Sequence, residues 1–452
     1  MFDKILIANR GEIALRIIRA CREVGIRSVA VYSEADADSL HVSLADESIC
    51  IGSAISAKSY LNADAILAAA QRAGATAIHP GYGYLAEKAA FAQACENNGM
   101  VFIGPRSDNL QLAGDKISAK EIMQGAGVPT IPSSPGRIVN KDEAFKAAQA
   151  IGYPIMIKAS GGGGGRGIRI CHNDEELLEE LPIARMEARA AFGNDDVYLE
   201  KYITKPRHIE FQVLADQDGR TIHLGDRECT IQRRYQKLIE EAPSPRLSPE
   251  LRKAMGATAI KAAQAVNYLN AGTVEFLVDD DDNYYFMEIN ARIQVEHPVT
   301  ELTTGIDLVK EQIRLATGAR LAYTFEDINL RGWALECRIN AEDPERNFLP
   351  SPGVIETYRP PGGFGIRLDT HLYQGYELPV FYDSLIAKLI AFDLDRLGAI
   401  HVMRRALDEF RIEPLKTTIP LYRQIMMDED FVRGDFDTGF VRRYAPDDDE
   451  DD

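Results

Sequence analysis

From Met287 to Glu296 apolar and polar residues alternate: Met287, Ile289, Ala291, Ile293 and Val295 against Glu288, Asn290, Arg292, Gln294 and Glu296. Successive side chains of an extended chain point to opposite faces, so one face is core and the other gathers carboxylates, amides and a guanidinium. A merely solvated face would be satisfied by lysine, threonine and serine. At ~3.4 Å per residue Glu288 and Glu296 would stand roughly 27 Å apart, too far for one site. A bend after about Asn290 is therefore expected. Just upstream, 272–278 and 283–288 read as strands of a hairpin that turns through 279–282. A turn centred between Asp281 and Asp282 puts Glu275 opposite Glu288. Like charges there destabilise a sheet pair, and a divalent cation between them reverses the sign. A shifted register that keeps the glutamates apart is the alternative.

Residues 1–114 alternate short apolar runs (5–8, 28–32, 77–79, 101–104) with amphipathic stretches (12–24, 63–73), the rhythm of a parallel, helix-covered sheet. Glycine-bearing turns follow two of the runs, at 9–12 and 79–84. Neither carries the three-glycine dinucleotide fingerprint or a P-loop, so a Rossmann-like domain without that nucleotide site is expected. Ligands in such sheets gather beyond the carboxyl ends of strands, which makes Tyr82 and Gly83 candidate lining, with a plain turn the equal alternative. A helical connection follows over 115–130. In 131–202 a strand at 155–158 runs into Ala-Ser, five glycines and Arg-Gly before another strand. Such a run costs ordering entropy, so a folded enzyme keeps it where the backbone moves or approaches a ligand closely. Lys158 and Arg166 flank it, which suggests a phosphate cover rather than a neutral linker. Residues 203–446 mix strands (207–214, 221–226), a helix over 249–266, the hairpin and further α+β segments.

Composition narrows the partners. The chain has 452 residues and a formal charge of −18, part of it in the block 447–452, read as a solvating tail. An acidic balance disfavours a nucleic-acid partner. Six dispersed cysteines suit reduced thiols, the start lacks a signal-peptide layout, and no window holds 18 uninterrupted apolar residues. A cytoplasmic protein with no membrane partner is expected.

Several stretches carry a more specific likeness: Arg10-Gly-Glu-Ile-Ala14, His79-Pro-Gly-Tyr-Gly83, the lysine-glycine run from Lys158 to Gly167, Gln232-Arg-Arg, Arg292-Ile-Gln-Val-Glu-His-Pro-Val-Thr300 and Glu336-Cys-Arg-Ile-Asn-Ala-Glu-Asp-Pro344. In this order, from residue 1 to about 444, the chain resembles biotin carboxylase of the ATP-grasp superfamily. The resemblance implies an α/β and α+β chain: a Rossmann-like N-terminal domain (1–114), the connection (115–130), a small mobile lid with the glycine loop (131–202), and an ATP-grasp catalytic and C-terminal mixed domain (203–446). It implies ATP with Mg²⁺ or Mn²⁺ held by Glu275, Glu288 and Asn290. Nucleotide contacts would come from Lys116, Lys158, Gly164, Gly165, Glu200, Lys201, Tyr202, Ile203, His208, Gln232 and Tyr235.

Lys237, Arg292, Gln294, Val295 and Glu296 carry over as the bicarbonate pocket, with Glu296 the base that takes the bicarbonate proton. Arg338 would stabilise the enolate-like ureido oxygen of biotin, beside Tyr82 and Gly83. Glu296, Arg292, Arg338 and Lys237 form the catalytic set. Biotin would arrive on a separate biotin carboxyl carrier protein, with a carboxyltransferase subunit completing an acetyl-CoA or pyruvate carboxylase. A homodimer is implied, with Arg19, Glu23, Phe364 and Arg367 at its interface, although Arg19 and Glu23 also suit a surface pair on one helix. Two departures stand out: Tyr235 where many members have histidine, and Ala291 in place of threonine or proline. Alternatives are another ATP-grasp ligase joining an acyl phosphate to an amine, and a nucleotide-binding subunit without turnover. Arg338 and the run from Arg292 to Glu296 argue against the first; intact Glu275, Glu288, Lys237 and Glu296 argue against the second.

Overall fold

A computed structural model describes residues 2–159 and 168–444, apart from the side chains of Lys116, Ile117, Phe192 and Phe325. The reading of Gly164 and Gly165, the side chain of Lys116 and the acidic tail lie outside the described residues.

Strands β1 (Lys4–Ile7), β2 (Arg27–Ser33), β3 (Glu47–Gly52), β4 (Ala77–His79) and β5 (Val101–Phe102) form one parallel sheet in the order β3-β2-β1-β4-β5. All of β1 is buried, as a parallel strand covered on both faces must be. Edge strand β3 escaped the sequence pattern because half of its residues face solvent and only Ile49 and Ile51 are buried. Helix α1 (Gly11–Glu23) follows β1 at once and lays Ile13, Ala14, Ile17, Ile18 and Cys21 against the sheet. Asn9 Nδ2 donates to the carbonyls of Pro80 and Tyr82 at 2.7 Å each, joining the two glycine turns where the order reverses.

The next unit has its own core. Strands β6 (Ile155–Ala159), β7 (Arg169–Cys171) and β8 (Val197–Lys201) pair antiparallel in the order β7-β6-β8, and helices Lys141–Ile151 and Asp174–Phe192 pack on them through Ile155, Ile157, Leu177, Leu181, Ala184, Val197 and Leu199. The segment between β6 and β7 does run strand to strand. Its flanking chain returns to the main body through Phe286 N, which donates to Pro129 O at 2.7 Å.

The central frame is an antiparallel eight-stranded sheet. It contains β9 (Arg207–Ala215), β10 (Thr221–Arg233), β11 (Gln236–Ala242), β12 (Asn270–Val278), β13 (Tyr284–Asn290), β14 (Trp333–Asn340), β15 (Ile366–Thr370) and β16 (Leu385–Asp393), in the order β13-β12-β9-β10-β11-β14-β16-β15. One continuous sheet thus spans from the hairpin to the C-terminal strands.

The β12–β13 hairpin reaches the expected pairing by an unexpected route. From the turn outward the partners are Val278 with Tyr284, Leu277 with Tyr285 and Phe276 with Phe286. Met287 is then skipped, and Glu275 faces Glu288. The turn is therefore centred on Asp281, not between Asp281 and Asp282, and without the bulge Glu275 would face Met287. The bulge also corrects the alternation: Phe286 and Ile289 enter the core, while Met287 and Glu288 both line the cleft. The strand ends at Asn290, where the bend was expected. Among the described residues no helix is long and apolar enough to cross a membrane.

Candidate active site

The glycine turns of the parallel sheet, the three-stranded sheet β7-β6-β8 and the open face of the central sheet enclose a cleft of about 2250 Å³. This exceeds the few hundred to ~1,000 Å³ of a pocket for one small ligand, leaving room for several reactants. Lys158, Glu200, Tyr202, Ile203, His208, Gln232, Tyr235 and Lys237 line it, as do Glu275, Glu288, Asn290, Arg292, Gln294, Val295, Arg338, Tyr82 and Gly83. Two expected site residues do not. Lys201 donates to the carbonyls of Gly152 (2.9 Å) and Tyr153 (2.8 Å), because strand alternation turns it away from Glu200 and onto the lid backbone. Glu296 is fully buried beneath the wall.

Lys237 organises the floor. Its three ammonium protons reach Glu210 Oε2 at 2.6 Å, Glu296 Oε1 at 2.7 Å and Glu275 Oε1 at 2.9 Å. Burial opposes the charge, but these carboxylates hold the ammonium well above the ordinary lysine range. Burial would likewise raise Glu275, yet Lys237 and His208 keep it well below the ordinary carboxylate range. Glu296 is also lowered: burial pushes it up and Lys237 pulls it down further.

Three donors converge on Glu275 Oε1, from Lys237, Asn290 (2.7 Å) and Gln294 (3.1 Å), whereas Oε2 takes His208 at 3.0 Å. A carboxylate offers about four lone-pair sites, so Oε2 retains acceptor capacity. His208, Glu210 and Glu275 bring ligand atoms within 4.8 Å of one another. Each oxygen of Glu210 is paired with a cation, Lys237 or Arg227 Nε at 2.5 Å, so that trio belongs to an ion-pair network.

The arginines are held from behind. Arg292 donates to Gln294 Oε1 at 2.5 Å and Asn290 Oδ1 at 3.2 Å, and pairs with Glu87 at 3.1 Å. Arg338 donates to Glu240 Oε1 at 2.6 Å and to Glu296 Oε2 at 2.9 Å. Toward the lid, Glu200 accepts from Lys120 at 2.6 Å and from Lys158. Lys120, Glu87, Glu210, Arg227 and Glu240 were not legible as site residues. Lys120 stands one helical turn after Lys116, the spacing that could have found it; the others show no pattern in the chain.

Two features store cost at the site. Arg234 and Tyr235, the two residues between β10 and β11, have φ of 46° and 64°. Glycine or asparagine adopts this region with less strain. Arg234→Asn with Tyr235→Gly is expected to raise Tm while weakening nucleotide affinity, as thermal unfolding and nucleotide titration would show. Glu336 faces Glu240 across β11 and β14, and neither of its buried carboxylate oxygens has a hydrogen-bond partner. Burial pushes Glu240 up to about 7 and Glu336 well above its ordinary value. Folded Glu336 therefore keeps its proton after the unfolded chain has lost it, so it lowers stability as pH rises above 4.5. Glu336→Gln should match the parent near pH 4.5 and exceed it increasingly toward neutral pH in denaturant unfolding.

Comparison with known proteins places this geometry. Family models match residues 1–110 (Biotin carboxylase, N-terminal domain), 115–324 (Carbamoyl-phosphate synthase L chain, ATP binding domain) and 336–443 (Biotin carboxylase C-terminal domain). Biotin carboxylase 1 of Bacillus subtilis (strain 168) is 56% identical over 445 residues, covering 98% of this chain and 99% of the relative. The chain belongs to the biotin carboxylase family. A pyruvate carboxylase subunit from Methanothermobacter thermautotrophicus is 55% identical, with 98% of this chain and 90% of that one covered. The biotin carboxylase domain dimer of Hydrogenobacter thermophilus 2-oxoglutarate carboxylase, solved with MgADP, ADP and bicarbonate, superposes with a TM-score of 0.93 at 52% identity over all of both chains. Biotin carboxylase of Campylobacter jejuni in its β-γ-ATP complex gives 0.95 at 48% identity, covering 98% and 99%. Membership brings ATP, magnesium, bicarbonate and biotin to this fold, and biotin carboxylases are ligases.

Proposed function

We propose that the cleft carboxylates biotin with bicarbonate at the expense of ATP, and that its residues divide the work as follows. The observation that carries the division is the single ammonium of Lys237, shared by Glu275 on the hairpin and Glu296 beneath Arg338. It ties the nucleotide end to the carboxylation end. Glu275, Glu288 and Asn290 offer hard oxygens suited to Mg²⁺ or Mn²⁺, which would neutralise phosphate charge when bound. Lys158, His208, Gln232 and Tyr235 hold the phosphates and ribose, and residues 200–203 receive the adenine. Arg292, braced by Asn290 and Gln294, grips the bicarbonate anion. Glu296, ionised because Lys237 and Arg338 flank it, takes the bicarbonate proton as the oxygen attacks the terminal phosphate, breaking its bond to ADP, which leaves, and giving carboxyphosphate. Carboxyphosphate breaks down to CO₂ and phosphate, the phosphate takes the proton from the ureido nitrogen of biotin, and that nitrogen attacks CO₂ to give carboxybiotin. Arg338 stabilises the developing negative charge on the ureido oxygen, with Tyr82 and Gly83 beside the ring. Closing the lid keeps water from carboxyphosphate.

Biotin on a carrier protein and a separate carboxyltransferase subunit complete the cycle in this reading, with acetyl-CoA or pyruvate as final acceptor. The six free cysteines fit a reducing cytoplasm. Phosphate release that requires bicarbonate and rises with free biotin tests the reaction; release indifferent to biotin favours another ATP-grasp ligase, and none favours a silent binder. Phe364 is 92% exposed, which supports it as the apolar anchor of a homodimer, whereas Glu23 pairs within the chain with Lys310 at 2.6 Å. Phe364→Asp should convert the dimer to monomer in sedimentation velocity.

A further inference from the structure

We propose that Lys388 and Glu12 are a buried positioning pair that holds the bicarbonate loop and Tyr82 in fixed relation to each other. Lys388, on β16, is fully buried and is not part of the cleft wall. Its in-register neighbours are Arg338 on β14 and Asp369 on β15. Side chains in one row share a face about 5 Å apart, and two cations side by side are unfavourable there. Taking an ammonium out of water adds to that cost. Lys388 also reaches Asp369 Oδ2, at 3.8 Å, but Arg367 holds that same oxygen at 2.7 Å, so neutralising Asp369 is not what requires the lysine.

The contacts of Lys388 give the reason. Its ammonium donates to the Val295 carbonyl at 3.1 Å and pairs with Glu12 Oε2 at 3.2 Å. Val295 lies between Gln294 and Glu296 in the loop that links β13 to the helix His297–Thr304. Glu12 belongs to the first turn of α1, where a carboxylate is favoured by the helix dipole, and its Oε1 accepts the Tyr82 hydroxyl. A continuous chain of contacts therefore runs from the Val295 carbonyl through Lys388 and Glu12 to Tyr82. It joins a loop of the central sheet to a turn of the parallel sheet, two units whose relative placement no backbone ladder sets at this point. The spacing between CO₂ donor and acceptor depends on that placement.

This inference rests on the reading that residues 294–296 face bicarbonate and Tyr82 faces biotin. The test compares Lys388→Met, Glu12→Gln and the double variant with the parent, using free biotin, bicarbonate and ATP. Each single variant should raise KM for bicarbonate and for biotin, on the order of 10²-fold, through misplacement of the reacting groups, with the nucleotide affinity measured by calorimetry unchanged. The double variant, which leaves neither charge unpaired, should regain the Tm lost by Lys388→Met yet keep the raised KM values. Unchanged KM in the isosteric Glu12→Gln, or KM recovering together with Tm in the double variant, would overturn the proposal by making the pair a matter of stability alone. If Lys388→Met does not fold, Glu12→Gln and the double variant decide. A parent protein without biotin-stimulated phosphate release would instead sink the functional reading itself.

Discussion

Glu296→Gln is expected to lower bicarbonate-dependent phosphate release by roughly 10²–10⁴-fold, the range for loss of a positioned general base, while leaving ATP binding intact. The carboxylate is fully buried, with Lys237 on one oxygen and Arg338 on the other. These two cations keep it ionised despite burial, so it can accept a proton at neutral pH. Glutamine has nearly the same shape but no basic oxygen pair, and its amide turns a donor toward one of the cations. The fold should tolerate this, because Lys237 retains Glu210 and Glu275, and Arg338 retains Glu240. Steady-state phosphate release beside nucleotide titration separates the two effects. Turnover close to that of the parent would remove Glu296 as the base.

Lys237→Met should cost about 3–5 kcal/mol of stability, the penalty for stripping a buried ion-pair set of one partner, and should abolish turnover. Glu210, Glu275 and Glu296 converge on that one ammonium; in its absence Glu210 keeps Arg227 at 2.5 Å and Glu296 keeps Arg338 at 2.9 Å, while Glu275 is left with the imidazole of His208. The pH dependence follows from the sign of the shifts. All three carboxylates lie below their ordinary values in the parent, so their stabilisation is present above pH 4.5 and is lost as pH falls through the lowered values. In the variant, burial dominates at Glu275, which takes up a proton in the folded state. The deficit should therefore be greatest at neutral pH and narrow as the pH approaches 4.5. Denaturant unfolding at several pH values checks this, and a deficit independent of pH would contradict the buried-charge account.

Much of this site was legible because it lies on short, strongly patterned segments. The alternation from Met287 to Glu296 marked the polar face that brings Glu288, Asn290, Arg292 and Gln294 to the cleft, and the bend after Asn290 followed from distance alone. The pairing of Glu275 with Glu288 was reached from an assumed turn centre that is half a residue off. A bulge at Met287, for which the local text has no mark, restored the pairing. Lys201 shows the opposite failure: its segment is correctly placed, but strand alternation sends its side chain to the lid backbone. Glu210, Arg227, Glu240 and Lys388 were missed because each sits in a strand of ordinary appearance. Their importance comes from partners brought up by other elements, such as the Val295 carbonyl that meets Lys388 from 93 residues away.

By itself, the order of residues determined most of the strands and helices around the cleft and which chemical groups the hairpin and the segment after it carry. Those are consequences of neighbours a few positions apart. Only the tertiary structure decided which buried charges share a partner, since one ammonium serving three carboxylates from two strands and a loop is a matter of register and sheet order. It also decided that Glu296 lies sealed under two cations, because burial and Coulomb attraction depend on everything packed around a group.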